Sequence, residues 1–213
     1  MREVLYGRQP VRETLRAGRR QVFKLLLARG VRSSGVVREI LSLAERAHAP
    51  VKEVDRHQLD SLGGEVNHQG LAAEVSGYPY VDLAALLEGA RDASEPPFLV
   101  LLDHLRDPQN LGSILRTVEA VGAHGVVIPT RRAAAVTPAA VRASAGAAEH
   151  VLVAQVANLV RAMLWLTENG VWAVGLEALP EIPLHSQQDL KGSLGLVIGN
   201  EGEGLSRLVR ETC

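Results

Sequence analysis

Apolar residues along the chain switch between a helical period and continuous or alternating runs, and the switches mark out a series of short elements. Pro10 suits the first turn of a helix running to about Arg16, where its missing N–H costs nothing, and Gly18 is placed to end that helix. Val22 to Ala28 reads as a buried strand, and Val36 to Ala47 repeats apolar residues at helical spacing until Pro50 stops it. Val51 to Val54 and Gly70 to Val75 read as two further strands. Residues 1–76 therefore predict a small α/β sandwich.

Residues 77–97 change character. Gly77 and Pro79 precede a short amphipathic stretch from Val81 to Ala90, and Asp92 to Pro97 ends in two prolines, a composition that reads as a linker. Residues 98–213 then take the pattern of a parallel α/β domain: an unbroken apolar run from Phe98 to Leu102, a loop, a helix from about Leu111, and a strand from Gly125 to Ile128. Two more apolar strands, Val171 to Gly175 and Leu194 to Ile198, follow an alanine-rich segment and a helical pattern from Leu159 to Glu168. The alanines of residues 133–148 read as tight helix packing. The expected architecture is an open parallel sheet with helices on both faces.

The composition, 46% hydrophobic and 22% charged, is that of a globular protein and excludes a disordered or fibrous chain. No apolar run approaches the roughly 18 to 20 residues of a membrane-spanning helix, and the N-terminus with Arg2, Glu3 and Arg8 lacks a signal peptide's apolar stretch. A cytoplasmic protein with no membrane partner is the expectation. The single cysteine, Cys213, can form neither an intramolecular disulfide nor a zinc cluster, and His104, His124, His150 and His185 are scattered without metal-ligand spacing, so no metal is expected.

The formal net charge of -1 hides a segregation along the chain. Residues 1–57 carry 13 Lys+Arg against 6 Asp+Glu, whereas residues 58–213 carry 10 against 18. Arginine, the better phosphate fork, outnumbers lysine 11 to 2 in the basic stretch. This is the footprint of a basic module facing a polyanion, joined to an acidic module with another task; a solvated surface with chance asymmetry gives the same count.

In parallel α/β sheets ligands bind outside the carboxyl ends of the strands, which points to the loops after Leu102 and Ile198. The first reads Asp103-His104-Leu105-Arg106-Asp107-Pro108-Gln109-Asn110-Leu111-Gly112 and runs into a helix bearing Arg116 and Thr117. Asn110 is placed either to cap that helix, its side-chain oxygen taking a backbone N–H, or to face a ligand. Arg116 can lean back toward the helix start, where an anion is favoured, or stand as a surface arginine.

The second loop, Gly199-Asn200-Glu201-Gly202-Glu203-Gly204, has three glycines in six residues, which serve a close approach to a ligand or simply a tight turn. Its spacing is not a dinucleotide fingerprint, and no Gly-Lys-Ser/Thr follows to make a phosphate loop. Its acidic residues would repel a pyrophosphate and suit a cationic or hydroxyl-bearing ligand. Ser144 and Ser206 lack a hydrolase elbow. Asn67-His68-Gln69-Gly70 reads as a turn whose polar side chains could meet RNA.

Taken together, Asp107-Pro108-Gln109-Asn110-Leu111-Gly112 with Arg116-Thr117, and Ile198-Gly199-Asn200-Glu201-Gly202-Glu203-Gly204-Leu205, resemble the first and second motifs of the SpoU or TrmH family of RNA ribose 2'-O-methyltransferases, within the SPOUT superfamily. Tyr6-Gly7-Arg8-Gln9-Pro10-Val11 and His68-Gln69-Gly70 are similar to the ribosomal-protein-like RNA-binding domain attached to many members. The resemblance implies a SPOUT α/β domain with a trefoil knot, a homodimer, and S-adenosyl-L-methionine as cofactor. It makes Asn110, Arg116 and Glu201 the catalytic set and puts Gly175, Leu176, Val197, Ile198, Gly199, Asn200 and Gly204 at the cofactor. The first domain would hold structured RNA, with Arg8, Arg12, Arg16, Arg19, Arg20, Arg32, His68 and Gln69 as its candidate contacts.

The implied reaction is methyl transfer to a ribose 2'-hydroxyl, foremost of a guanosine in 23S rRNA. Ribose methylation of tRNA and thiopeptide-resistance methylation of ribosomal RNA are its neighbours in chemistry, and an RNA-binding protein without catalysis is the rival of a different class. Because arginine is effectively always protonated, Arg116 suits stabilising an alkoxide or gripping a phosphate better than acting as a base. Family members continue past the position of Cys213 through a third motif, Ile-Pro-Met and then Ser-Leu-Asn, that closes the knot. The sequence stops before it, so that part of the pocket is expected in a continuation of the chain, or else the pocket is unfinished.

Overall fold

A computed structural model of the chain describes residues 2–32, 34–64, 66–177 and 190–213. They fall into two compact units, Met1–Pro79 with Val136–His150, and Tyr80–Ala135 with Val151–Cys213. His185 lies outside the described residues.

The first unit contains β1 (Arg2–Tyr6), α1 (Arg8–Ala17), β2 (Val22–Ala28), α2 (Gly35–Arg46), β3 (Val51–Val54), α3 (Arg56–Gly63) and β4 (Leu71–Ser76). Its sheet runs β1-β4-β2-β3, antiparallel except for the β2–β3 pair. Pro10 sits in the first turn of α1, and Gly18 ends it in the left-handed region, as the sequence suggested. Successive strand residues point to opposite faces. Leu26 and Ala72 join Leu59 of α3 in one cluster, so Leu25 and Ala73 turn to the other side. The sequence pattern missed α3, which buries only Leu59 and is held at its start by a reciprocal pair of hydrogen bonds between Asp55 and Gln58.

The second unit opens with α4 (Leu83–Asp92), β5 (Phe98–Leu102), α5 (Pro108–Ala120) and β6 (Gly125–Pro129). The chain then passes into the first unit as α6 (Pro138–Ala143) and a 3-10 turn, Ala147–Glu149, before returning as β7 (Val153–Val156), α7 (Leu159–Glu168), β8 (Trp172–Leu176), β9 (Leu194–Ile198) and α8 (Arg207–Thr212). All five strands are parallel, in the order β7-β6-β5-β9-β8.

The stretch 77–97, read from the sequence as a linker, contains α4, whose Leu86 and Leu87 enter the same core cluster as Leu99, Leu101, Met163 and Val197. Gly125 makes that possible: a β-carbon there would stand 2.6 Å from Leu86 Cδ2. The other face of the sheet meets α5, which buries Leu111, Leu115 and Val118. Residues 136–150, which the sequence pattern placed within 98–213, group instead with the first unit. Among the described residues no helix is long and apolar enough to cross a membrane.

Candidate active site

Strand order decides where a ligand can enter the second unit. From β5 the sheet grows through β6 to β7 on one side and through β9 to β8 on the other, so the chain diverges at the β5–β9 pair. Crevices at such points, outside the carboxyl ends of the strands, are where open parallel sheets bind ligands. Leu102 and Ile198 are the last residues in register, and Asp103 N–H donates to the Ile198 carbonyl at 2.8 Å. The two loops singled out in the sequence therefore leave the sheet side by side.

Asn110 does not cap α5. Helix α5 starts at Pro108, and Asp107 is its cap, the carboxylate accepting from Gln109 N–H at 2.9 Å. That releases the Asn110 side chain, which donates through Nδ2 to Glu201 Oε1 at 2.7 Å and so joins the two loops. Asn200, next to Glu201, is a second tie. Its Nδ2 donates to the His104 carbonyl at 3.1 Å, and its Oδ1 accepts from Gly202 N–H at 3.0 Å and Glu203 N–H at 3.4 Å.

Asn200 and Gly204 also exchange two backbone hydrogen bonds of 2.9 Å, which fold the glycine loop back on itself. A β-carbon on Gly199 would lie 2.2 Å from the Gly204 carbonyl carbon, so this fold requires glycine. Four loop amides are thereby engaged internally and make no nest for a phosphate, while the Glu201 and Glu203 carboxylates stand exposed. A cation-bearing ligand suits this donor and acceptor set better than an anion.

The sequence reading gave no role to Asp103, which is fully buried under the loops. Its carboxylate accepts from Ser206 N–H at 2.6 Å and pairs with His104 Nδ1 at 2.6 Å. His104 adopts φ 57, a left-handed conformation uncommon for a side-chain-bearing residue. Only the position of Asp103, directly after a buried strand, hinted at a structural anchor. Asp103, His104, Arg106, Arg132, Asn200 and Glu203 are among the residues around a cleft of about 240 Å³.

Of the other expected residues, Val197 and Ile198 form the end of β9, and Gly175 and Leu176 the end of β8 beside it. Gly175 packs on Leu205 and Cys213. Burial pushes the Cys213 thiol up from its ordinary value, and the Asp103 and Glu177 charges act in the same direction. The Arg116 side chain is exposed on α5 and makes no ion pair or hydrogen bond among the described residues. It follows Asn110 by six positions, which puts it about 120° round the helix from that side chain. The structure thus brings Asn110 and Glu201 together and leaves Arg116 apart.

In the first unit most of the expected RNA contacts face the protein. Arg20 is buried: its Nε donates to Glu149 Oε2 at 2.9 Å, and its Nη1 to Glu3 Oε2 at 2.6 Å and the Ser76 carbonyl at 3.1 Å. Burial raises the Glu149 carboxyl above its ordinary value against the pull of Arg20, and pushes the Tyr78 phenol up to about 12. Arg19 donates to the Glu149 and Pro79 carbonyls, Arg12 pairs with Glu13, and Arg16 with Glu39. His68, 3% exposed, bonds Asp60 through Nε2 and accepts Gly70 N–H through Nδ1. Gln69 Oε1 accepts Arg8 N–H, and Arg32 is exposed. Among the described residues no acidic or histidine cluster could hold a metal ion.

The fold and the paired loops define the class first: a parallel α/β domain with a candidate ligand site at the β5–β9 strand ends, in a chain that also carries a separate small α/β unit. Residues 97–213 match the SpoU rRNA methylase family, and residues 4–81 match the RNA 2'-O ribose methyltransferase substrate-binding family. The chain belongs to the SpoU, or TrmH, family of RNA methyltransferases.

It is 41% identical over 212 residues to YacO of Bacillus subtilis, named as a TrmH family tRNA/rRNA methyltransferase, covering 99% of this chain and 83% of that protein. A tRNA/rRNA methyltransferase of Mycobacterium marinum, named as uncharacterized, is 45% identical over 213 residues, with 99% of this chain and 67% of that one covered. Another so named, from Synechocystis, is 41% identical, and the chain spans about half of it, 54%. Among solved structures, the SpoU methyltransferase AviRb of Streptomyces viridochromogenes, crystallised with the cofactor AdoMet, superposes with a TM-score of 0.80 at 26% identity, covering 99% of this chain and 77% of AviRb.

Proposed function

We propose that the chain transfers a methyl group from S-adenosyl-L-methionine to a ribose 2'-hydroxyl of structured RNA, with a guanosine in 23S rRNA as the first target to test. The observation that carries this reading is the Asn110–Glu201 hydrogen bond, which joins the two motif loops at the β5–β9 crevice. The substrate-binding match over residues 4–81 and AviRb's complex with AdoMet support the choice of substrate and cofactor.

The residues present fit this cofactor. Its sulfonium is cationic, and the glycine loop offers exposed carboxylates with its amides already engaged. The cofactor supplies an electrophilic methyl group when bound. Gly199, Asn200 and Gly204, with the ends of β8 and β9, would hold it, and Asn110 would keep Glu201 and its loop in one position. Holding the hydroxyl at roughly 3 to 3.5 Å from the methyl carbon supplies much of the acceleration in such a transfer. Arg116, cationic and unpaired, would stabilise the developing alkoxide or grip the neighbouring phosphate. A homodimer and a trefoil knot belong to the same proposal, the dimer providing a route by which Arg116 serves a site other than that of its own Asn110.

Incubating the protein with radiolabelled S-adenosylmethionine and separate transcripts of 23S rRNA, 16S rRNA and tRNA, then locating the methyl group by mass spectrometry, tests the reading. Label on a ribose of 23S rRNA supports it, and label on tRNA corrects the substrate. Cofactor-independent RNA binding with no transfer would favour a binding protein.

A further inference from the structure

Although most arginines of the first unit face its own groups, the unit keeps a cationic groove at another place. Lys24 and Leu26 of β2, Lys52 and Val54 of β3, and His57 and Leu62 of α3 line a cleft of about 430 Å³. Lys24 and Leu26 lie on the same face of β2, and Lys52 is in register with Leu26 on the neighbouring strand. The floor is apolar, with Leu26 and Val54 each 6% exposed, and Leu62 stands 54% exposed.

The rim is positive. Glu74 is shared by Lys24 and Arg2, so two cations meet one carboxylate there. Lys52 has no ion pair among the described residues, and the His57 side chain is 99% exposed, with Asp60 3.9 Å away. The chain contains three lysines, Lys24, Lys52 and Lys191, and two of them converge on this groove.

A lysine is a compact charge on a flexible stem that can follow phosphates of varied position, and apolar surface between such charges gives a splayed-out base a place to leave water. We infer that this groove takes a single-stranded segment of the RNA substrate, with Lys24 and Lys52 at its phosphodiester groups and a base against the exposed Leu62, above the floor formed by Leu26 and Val54. The inference rests on the RNA-methyltransferase reading and adds a substrate contact to it.

Lysine footprinting of the wild-type protein tests it, with limiting acetylating reagent, with and without a 23S rRNA transcript, read by mass spectrometry. Lys191, in the other unit, is the internal reference. Acetylation of Lys24 and Lys52 is expected to fall several-fold relative to Lys191, and unchanged ratios would overturn the inference. Protection by poly-glutamate but not by the transcript would overturn it in favour of an acidic protein partner.

In a second measurement the K24Q/K52Q variant should lower the slope of RNA affinity against salt by about 2, one for each lost phosphate contact. Its calorimetric affinity for S-adenosylmethionine should stay unchanged. A wild-type slope in the variant sinks the groove while leaving the enzyme reading intact. Failure of the wild-type protein to bind RNA at all sinks both.

Discussion

In the first unit Arg20 is buried between Glu3 and Glu149, while in the second Asn110 and Glu201 stand half-buried and exposed at the open end of a sheet, Arg116 is exposed further along α5, and Asp103 is the buried charged group among that unit's described residues. Removing two charges from water costs several kcal/mol for each ion, recovered only through good mutual geometry, so a buried pair ties two segments together more than it stabilises the whole. Here the tied segments are the connection between α1 and β2 and the 3-10 turn that follows α6. Exposed polar groups at strand ends carry little folding energy and can be changed with the scaffold intact. The buried Arg20–Glu149 pair is therefore the one to test for folding, and the exposed groups at the strand ends of the second unit the ones to test for chemistry.

The largest expected effect tests the buried side of that contrast. R20A leaves Glu149 buried without its cation and should cost about 3 to 5 kcal/mol in urea unfolding, whereas R20M/E149L, which removes the buried pair and leaves only the partly exposed Glu3 to be hydrated, should recover most of the loss. A small loss in R20A would mean that the pair is hydrated in solution and that the contrast fails. On the open side, E201A and N110A should each lower methyl transfer about 100-fold, as expected when one organising polar group leaves a reaction centre. Their unfolding free energies should stay within about 0.5 kcal/mol of wild type. A matching loss of stability would make the Asn110–Glu201 bond structural.

The same contrast explains what could be read from sequence. Strands β5, β6, β8 and β9 are apolar runs bounded by turns, and the loops after β5 and β9 announce themselves by residue chemistry alone. Helix α3 buries one side chain and so has no apolar stripe to detect, and β7 is four residues long. The alanines of residues 136–150 carry no pattern that says which unit they pack on.

Charge counting saw the basic residues but not their partners. Glu149 lies 129 positions from Arg20, and His150 lies 137 positions from Glu13. Asn110 was open between cap and ligand because Asp107 and Asn110 are both good caps. The proline after Asp107 favours the earlier start, since proline is at home in the first helical position.

That cap gives the next smaller effect, and it separates helix formation from site chemistry. D107A should cost about 1 kcal/mol of stability while D107S, which keeps an acceptor for Gln109 N–H, should cost much less. If methyl transfer falls in D107A and returns in D107S, the cap matters to the site by fixing where Asn110 falls on the first turn. Equal activity in both would separate the cap from the chemistry.

The smallest effect divides the first unit within itself. The Glu13 carboxyl is pushed up by burial, yet hydrogen bonds from His150 and Arg12, with the charges of Arg12 and Arg16, hold it below its ordinary value. The Glu149 carboxyl is raised, burial outweighing Arg20. A lowered acid contributes stability above its unfolded value, about 4.3 for glutamate, and loses it as pH falls through the folded value; a raised acid contributes below the unfolded value and loses it as pH rises. E13Q should therefore unfold at a lower temperature than wild type near pH 7, and the gap should close as pH falls below about 4. A gap that stays constant from neutral to acid pH would mean that the shape of Glu13, rather than its charge, holds His150.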